Sequence, residues 1–192
     1  RGVSREAQED RASAAMARYA LGEDSAFAEV YDDLAPRLYR YLMHLTRDPE
    51  RAADLLQDTM LHIHAARGRF VAGSAVAPWA YAIARRLFID SARRLQSRRA
   101  AQPALEALAP TESETPAEMF DAHELAGALA EAFEDLPPNQ REAMLLVREH
   151  GMSFADAAAV LGTTSTSVKL RAFRALQALR AVVAGGRSRG QR

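Results

Sequence analysis

The stretch GMSFADAAAVLGTTSTSVKLRAFRALQALR, residues 151–180, decides the fold of the C-terminal part of the chain. Ser153 followed by Asp156 predicts a capping box at the start of a short helix, FADAAAVL, and Gly162 is a natural stop for that helix. Thr163 and Thr164 then turn the chain into a longer basic helix. A short helix, a tight turn and a longer basic helix in this order predict a helix-turn-helix. A plain helical hairpin shares part of this pattern and is the alternative.

The longer helix has two faces of different chemistry. Because a helix advances about 100° per residue, one side collects the residues of a predicted buried stripe: Val168, Ala172, Ala175, Leu176 and Leu179. The opposite side and its flanks carry residues that suit DNA: Thr166, Lys169, Leu170, Arg171, Phe173, Arg174 and Gln177. Arg174 can bond a guanine edge, Leu170 and Phe173 can meet a thymine methyl group, and Lys169 and Arg171 can hold phosphates. We therefore expect this face to read DNA.

Charge is unevenly distributed along a chain that is neutral overall. The 192 residues include 25 Lys and Arg, 25 Asp and Glu, and 48% hydrophobic residues, enough for buried cores. Residues 79–99 have six arginines and one aspartate, residues 100–136 have nine acids and no base, and residues 163–192 have seven bases and no acid. A solvated face explains any single run. Two basic clusters on predicted helices instead favour a bipartite nucleic-acid binder, because phosphate neutralisation needs clustered Lys and Arg.

The composition excludes several other classes of protein. The chain has no cysteine, which excludes disulfides and thiolate metal sites and fits a reducing compartment. No apolar run reaches the ~18 residues of a membrane span and no signal peptide is recognisable, so we expect a cytoplasmic protein. A metal enzyme would need His44, His62 and His64, but His62 and His64 diverge by about 160° on a helix. We expect no metal, cofactor or catalytic residue.

The N-terminal part of the chain also predicts helices, because apolar residues recur at intervals of three and four without long alternation. A core-facing helix spans residues 25–46, with a kink or break at Pro36. Asp48 and Pro49 predict the N-cap and first position of the next helix, which holds DLLQDTMLHIHAARGRF, residues 54–70. One side of this helix is predicted to be buried: Leu55, Leu56, Thr59, Met60, Ile63, Ala66 and Phe70.

The other side of that helix predicts a docking surface. It holds Asp54, Gln57, Asp58, Leu61 and Ala65. An exposed leucine among carboxylates and an amide is unusual for a face that is only solvated, and typical of a contact patch with a polar rim.

A third helix follows the loop FVAGSAVA and runs from Pro78 to about Arg99. Its predicted buried residues are Trp79, Ile83, Leu87 and Leu95. Arg86 and Arg93 share another face, and the spacing of Arg86, Asp90 and Arg94 predicts ion pairs that brace the helix. The remaining positive charge beside aromatic residues suits stacked, unpaired bases next to held phosphates.

The chain therefore divides into four predicted segments, and the fold class is all-α with two small helical domains. The first domain covers residues 1–99. A flexible acidic linker rich in Pro, Glu, Ser and Thr covers residues 100–117. The second domain covers residues 118–182, and a basic tail predicted to be disordered covers residues 183–192.

Three stretches together resemble a known family. DLLQDTMLHIHAARGRF, PWAYAIARRLFIDSARR and LPPNQREAMLLVREHGMSFADAAAVLGTTSTSVKLRAFRALQALR are similar, in order and spacing, to the extracytoplasmic-function (ECF) sigma factors, small two-domain bacterial transcription initiation factors. The resemblance covers about residues 25–99 and 124–180. It implies a dissociable subunit of RNA polymerase, with an anti-sigma factor as a further partner. The first domain would bind the clamp helices and melt the minus-ten element; the second would bind the flap and read the minus-thirty-five element.

The resemblance also assigns roles to residues of this chain. It places the clamp contact at Asp54, Gln57 and Asp58, and capture of a flipped base at the loop from Phe70 to Ala77. It places minus-ten contacts at four arginines: Arg85, Arg86, Arg93 and Arg94. It places minus-thirty-five contacts at Lys169, Arg171, Phe173 and Arg174. Leu170 departs from the small polar residue of many members, and the loop varies within the family, so no promoter sequence is implied.

A stand-alone helix-turn-helix regulator is the alternative. It explains residues 124–180 but leaves the DLLQD stretch and the arginine-rich third helix without a role.

Overall fold

A computed structural model describes the backbone of residues 5–101 and 120–189, and the side chains of residues 11–98 and 126–184. Every regular element in these ranges is a helix, so the predicted all-α class is confirmed. The chain divides into two compact units, the first made mainly of the residues up to Ala101 and the second mainly of the residues from Gln102 onward. The predicted acidic linker lies almost entirely outside the described residues. The helices in the described part of the chain include none with the length and hydrophobicity of a membrane span.

The N-terminal unit is organised around its second helix. Its elements are α1 (Arg5–Ala20), α2 (Ala26–Thr46), α3 (Pro49–Ala66), a 3₁₀ turn (Arg67–Arg69) and α4 (Val76–Ala101). α2 contacts α1, α3 and α4, and it buries one apolar stripe completely: Val30, Leu34, Leu38, Tyr41 and Leu42. Of the kink or break predicted at Pro36, the break is wrong, since α2 continues through this residue. Packing against three helices holds α2 together where proline removes one backbone hydrogen bond.

The start of α3 is built as the sequence predicts. The Asp48 carboxylate accepts hydrogen bonds from the backbone N–H groups of Glu50 (3.0 Å) and Arg51 (3.2 Å), and Pro49 occupies the first turn. These bonds satisfy donors that have no partner inside the helix, and capping of this kind contributes about 1 kcal/mol. The cap fixes where α3 begins, and therefore which side chains face the core.

The sequence does not predict α1. Its described part contains only two large apolar residues, Met16 and Tyr19, and both are buried together with Ala12 and Ala15. The spacing of three and four is that of a core-facing helix. Small alanines weaken the hydrophobic signal in the sequence, but they allow α1 to lie close against α2 and α4.

The buried face of α4 differs from the predicted one, and the helix begins at Val76 rather than Pro78. Trp79, Ile83, Leu87 and Leu95 are only half-buried. The fully covered residues are smaller or polar at one end: Val76, Ala77, Ala80, Tyr81 and Ala84. The Tyr81 ring packs 5.1 Å from that of Tyr41 on α2. The alanines permit close packing that larger side chains would prevent.

The C-terminal unit contains α5 (Phe120–Glu134), α6 (Pro138–Met144), a π-helical turn (Leu145–Glu149), α7 (Phe154–Leu161) and α8 (Ser165–Arg189). α8 packs against α5 and α6. Buried apolar residues from these elements form the core: Leu136, Ala143, Leu145, Leu146, Val168 and Ala175. The predicted α8 stripe is confirmed at Val168 and Ala175, whereas Ala172, Leu176 and Leu179 are half-buried.

The predicted connection between α7 and α8 is present. The Ser153 hydroxyl oxygen accepts the Asp156 backbone N–H (3.1 Å) and lies 2.6 Å from the Asp156 carboxylate. Gly162 ends α7 with a φ of 62°, a conformation that glycine adopts without steric cost. The Thr164 hydroxyl then caps α8 by accepting the N–H of Ser167 at 3.2 Å. The turn is fixed at both ends.

The disordered tail predicted from residue 183 is wrong for most of its length, because α8 continues to Arg189. Val182 and Val183 are half-buried, so side-chain packing extends past the predicted boundary. Once a helix is packed, each further residue adds one backbone hydrogen bond at little extra cost.

Candidate functional site

The exposed face of α3 carries all four residues predicted for docking. Asp54, Gln57 and Asp58 are exposed, and Leu61 is 57% exposed. The opposite face of the helix is buried at Leu55, Thr59, Met60 and Ile63. We call the four exposed residues the α3 face.

The histidines of α3 are held by separate interactions. His62 Nδ1 lies 2.8 Å from the backbone carbonyl oxygen of Asp58, whereas His64 Nδ1 bonds the hydroxyl of Tyr19 on α1. In the described part of the chain, no group of three histidine or carboxylate side chains is arranged to hold a metal ion. The two imidazoles serve the local structure of α3 and its contact with α1.

Three of the four predicted arginines of α4 form an exposed basic surface. Arg86, Arg93 and Arg94 are exposed, while Arg85 is half-buried. The Asp90 carboxylate lies 3.8 Å from the Arg86 guanidinium and 4.0 Å from that of Arg93. The predicted pair with Arg86 is therefore present, and the second partner of Asp90 is Arg93 where Arg94 was predicted. The side chains of Arg86 and Arg93 remain 85% and 77% exposed. Such long, solvated pairs contribute little to stability, so both guanidinium groups remain available to a phosphate.

The loop before α4 is anchored by Phe70 and exposes its middle residues. The Phe70 ring is 9% exposed and packs 5.6 Å from the Trp79 ring. Its predicted burial is confirmed, and its contact with the minus-ten element stays a prediction. Val71 is 70% exposed, and Gly73 has a φ of 86°. The surface of this loop is therefore formed by residues 71–75.

The outward face of α8 carries the predicted mixture of apolar and basic residues. Thr166, Lys169 and Arg174 are exposed, Leu170 and Phe173 are 48% and 56% exposed, and Arg171 is half-buried. Leucine and phenylalanine at this exposure, beside two cations, form a surface suited to contact with another molecule.

Sequence reasoning missed three residues beside this face. A groove along α8 is lined by Val147, Arg148 and Phe154 together with Thr166, Lys169, Leu170, Ala172, Phe173 and Leu176. Lys169 Nζ lies 5.5 Å from the centroid of the Phe154 ring. The first residue of α7 and the π-helical turn therefore extend the α8 face. An aromatic residue directly after the N-cap Ser153, where a helix start is normally exposed, is the signal that could have found Phe154.

Family models match both units of the chain. The model described as sigma-70 region 2 matches residues 30–99, and the model described as sigma-70, region 4 matches residues 126–179. The RNA polymerase sigma factor CarQ of Myxococcus xanthus is 32% identical over 165 residues, which are 86% of this chain and 93% of the relative. The ECF RNA polymerase sigma factor SigM of Bacillus subtilis is 30% identical over 160 residues, 80% of this chain and 93% of the relative.

The chain belongs to the ECF family of RNA polymerase sigma factors.

A solved structure extends the similarity of this sigma factor to the fold. The chain resembles the sigma factor RpoE of Bartonella quintana, solved in complex with the anti-sigma factor NepR, with a TM-score of 0.63 and 26% identity. The match covers 82% of this chain and 96% of RpoE. Because region 2 and region 4 are both present, this ECF sigma factor is a transcription initiation factor, and the alternative of a stand-alone helix-turn-helix regulator is not favoured.

Proposed function

We propose that this sigma factor binds core RNA polymerase through the α3 face and directs it to promoters through two separate DNA-reading surfaces. The observation that carries the proposal is the α3 face, where an exposed leucine is surrounded by Asp54, Gln57 and Asp58 on a capped, well-packed helix. The clamp helices of the polymerase would cover Leu61 and pair basic residues with the carboxylates.

The geometry of the α3 face supports a protein contact rather than a nucleic-acid contact. Two carboxylates repel phosphate, whereas an apolar centre with a polar rim is the usual composition of a protein interface. The face is preorganised, since the cap at Asp48 and the buried residues behind it fix the helix before a partner arrives. Preorganisation lowers the entropy lost on binding.

The basic surface of α4 and the loop before it are proposed to recognise the minus-ten element. Arg86, Arg93 and Arg94 would hold phosphates, with Arg85 beside them. The exposed residues of the loop, from Val71 to Ala75, would receive a base that has left the duplex. Extruding a base costs a few kcal/mol, and contacts made only with the flipped base would offset that cost. Promoter melting would therefore be coupled to recognition.

The outward face of α8 is proposed to read the minus-thirty-five element. Arg174 would bond a base edge, Leu170 and Phe173 would contact apolar base surfaces, and Lys169 and Arg171 would hold the backbone. Two weak readers on one chain gain affinity because the binding of the first raises the effective concentration of the second. The polymerase flap would contact the same C-terminal unit.

An anti-sigma factor is the proposed regulatory partner. RpoE, which this chain resembles, was solved with the anti-sigma factor NepR. The α3 face and the apolar groove of α8 are surfaces that such a protein could cover. Its binding would compete with the binding of polymerase and of DNA.

The sigma factor is further proposed to act in the cytoplasm. It is proposed to have no catalytic role of its own, because the polymerase performs the chemistry.

In vitro transcription tests the proposal. Core RNA polymerase from the same bacterium, reconstituted with the purified chain, is expected to start transcripts at a defined set of sites in a genomic DNA library. The double variant Asp58→Arg with Leu61→Ala should lose those transcripts. Absence of any chain-dependent transcript would overturn the proposal.

A further inference from the structure

Helix α1 contacts both ends of the connection between α3 and α4. This connection contains the loop from Phe70 to Ala77 that is proposed to capture a flipped base, here called the base-capture loop. α1 packs on α2, on α4 and on the 3₁₀ turn that follows α3. The family match to region 2 begins at residue 30, so α1 lies outside the matched segment. Two side chains of α1, Ser13 and Tyr19, contact this connection.

The first contact is at the end of the loop. The Ser13 hydroxyl oxygen on α1 accepts the backbone N–H of Val76, the first residue of α4, at 3.1 Å. Ala75, the residue before α4, has no side-chain oxygen that could cap the helix, and the Ser74 hydroxyl turns back to the Val71 carbonyl, to which it donates at 2.6 Å. A helix start needs acceptors for its first N–H groups. Ser13 provides one from a different helix, 63 residues earlier in the chain.

The second contact is at the beginning of the connection. The Tyr19 hydroxyl bonds His64 Nδ1 on α3, and the Arg67 guanidinium lies 5.5 Å from the centroid of the Tyr19 ring. Arg67 also donates to the backbone carbonyl of His64 at 3.1 Å. Tyr19 is therefore joined to the last turn of α3 and to the first residue of the 3₁₀ turn.

We propose that α1 fixes the conformation of the base-capture loop, with Ser13 as the positioning residue. Ser13 and Tyr19 are six residues apart, about 9 Å along a helix, and they hold the two ends of the connection in one arrangement. Val71, which is 70% exposed, is then presented before DNA arrives. A fixed loop loses less conformational entropy on binding a flipped base than a free one. This inference rests on the proposed function.

Ser13→Ala in the full chain tests the inference, with holoenzyme reconstituted from core polymerase and a promoter recovered from the transcription library. Loss of one hydrogen bond is expected to lower the equilibrium constant for promoter opening about fivefold, measured by permanganate reactivity of unpaired thymines. Affinity for core polymerase should stay within about twofold, since Ser13 lies outside the α3 face. Ser13→Thr keeps the acceptor and should restore opening.

A matched control and a second readout separate positioning from folding. Ser25→Ala removes a serine before α2 that makes no cap hydrogen bond with its side chain, and it should leave opening unchanged. Hydrogen exchange in Ser13→Ala should become faster at the amides of residues 71–76. Tyr19→Phe, which loses the bond to His64, should show a smaller opening defect of the same kind.

Each outcome decides between the two claims. Normal promoter opening by Ser13→Ala in an active holoenzyme overturns the inference that α1 fixes the loop, and it leaves the proposed function intact. Equal losses of core binding and opening also overturn it, because they indicate general destabilisation of the unit. A wild-type holoenzyme that starts no specific transcript overturns the proposed function, and the inference about α1 with it.

Discussion

Lys169 and Phe154 connect the two helices of the helix-turn-helix: the ammonium nitrogen of Lys169 on α8 lies 5.5 Å from the centroid of the Phe154 ring on α7. A cation over an aromatic ring is attracted by its electron-rich face. This contact favours conformations of the Lys169 side chain that keep its positive charge beside Phe154 on the outward face of α8.

Lys169→Ala should weaken promoter binding by the holoenzyme to a similar extent for every promoter sequence. The lost interaction is with a phosphate, so the slope of log affinity against log salt should become shallower by about 0.9. Binding titrations at several salt concentrations measure this slope. Lys169→Arg keeps the charge and should keep the slope; a change confined to one promoter sequence would show that Lys169 reads a base.

Asp58→Arg and Leu61→Ala should each weaken binding to core polymerase about tenfold, because both lie at the centre of the proposed contact. Thermal stability and helical content should stay nearly unchanged, since both side chains are exposed. Surface plasmon resonance with immobilised core polymerase measures the affinity. Asp32→Arg, an exposed change on α2, is the control. Parallel losses of stability and affinity would argue for a purely structural role.

Asp33→Ala should reduce the free energy of unfolding by about 3 kcal/mol. Arg37 Nη1 lies 3.2 Å from Asp33 Oδ2, and the two side chains are only 10% and 8% exposed. Removing the carboxylate leaves the guanidinium buried with its charge less well compensated. Asp32→Ala, at the exposed neighbouring position, should cost less than about 0.5 kcal/mol. Urea denaturation compares the two variants, and equal midpoints would contradict the prediction.

Tyr19→Phe should change how stability depends on alkaline pH. Burial raises the pKa of the Tyr19 phenol above its ordinary value of 10.0, although the Arg67 charge opposes this effect. The folded protein therefore holds the phenolic proton more tightly than the unfolded chain. Its contribution to stability is complete below about pH 10 and falls as the pH rises further. Denaturation curves should show that the advantage of the wild type over Tyr19→Phe shrinks above this pH. An advantage that stays constant would exclude titration of Tyr19.

The sequence predicts α3 and the helix-turn-helix well because their signals are local. On α3, the apolar spacing and the Asp48 cap together determine which residues face outward, so Leu61 could be identified as exposed. At the second turn, Ser153 and Gly162 mark the two ends of α7 in the sequence itself.

The sequence predicts α1 and the register of α4 poorly because both depend on close packing between helices. Ala12, Ala15, Ala80 and Ala84 are buried, but alanine is common on exposed helix faces as well, so its position does not indicate the core. The large residues Trp79 and Ile83 give a stronger apolar signal and remain half-buried. The bond from Val76 to Ser13 joins residues 63 positions apart, and no local pattern predicts such a contact.

Binding of a fluorescent promoter fragment at physiological salt, with and without core RNA polymerase, tests the central claim most directly. Fluorescence anisotropy should report tight, sequence-specific binding only when core polymerase and the chain are both present, and Asp58→Arg should reduce it. Tight, sequence-specific binding by the chain alone, unaffected by polymerase, would contradict the assignment of a sigma factor and favour a stand-alone regulator.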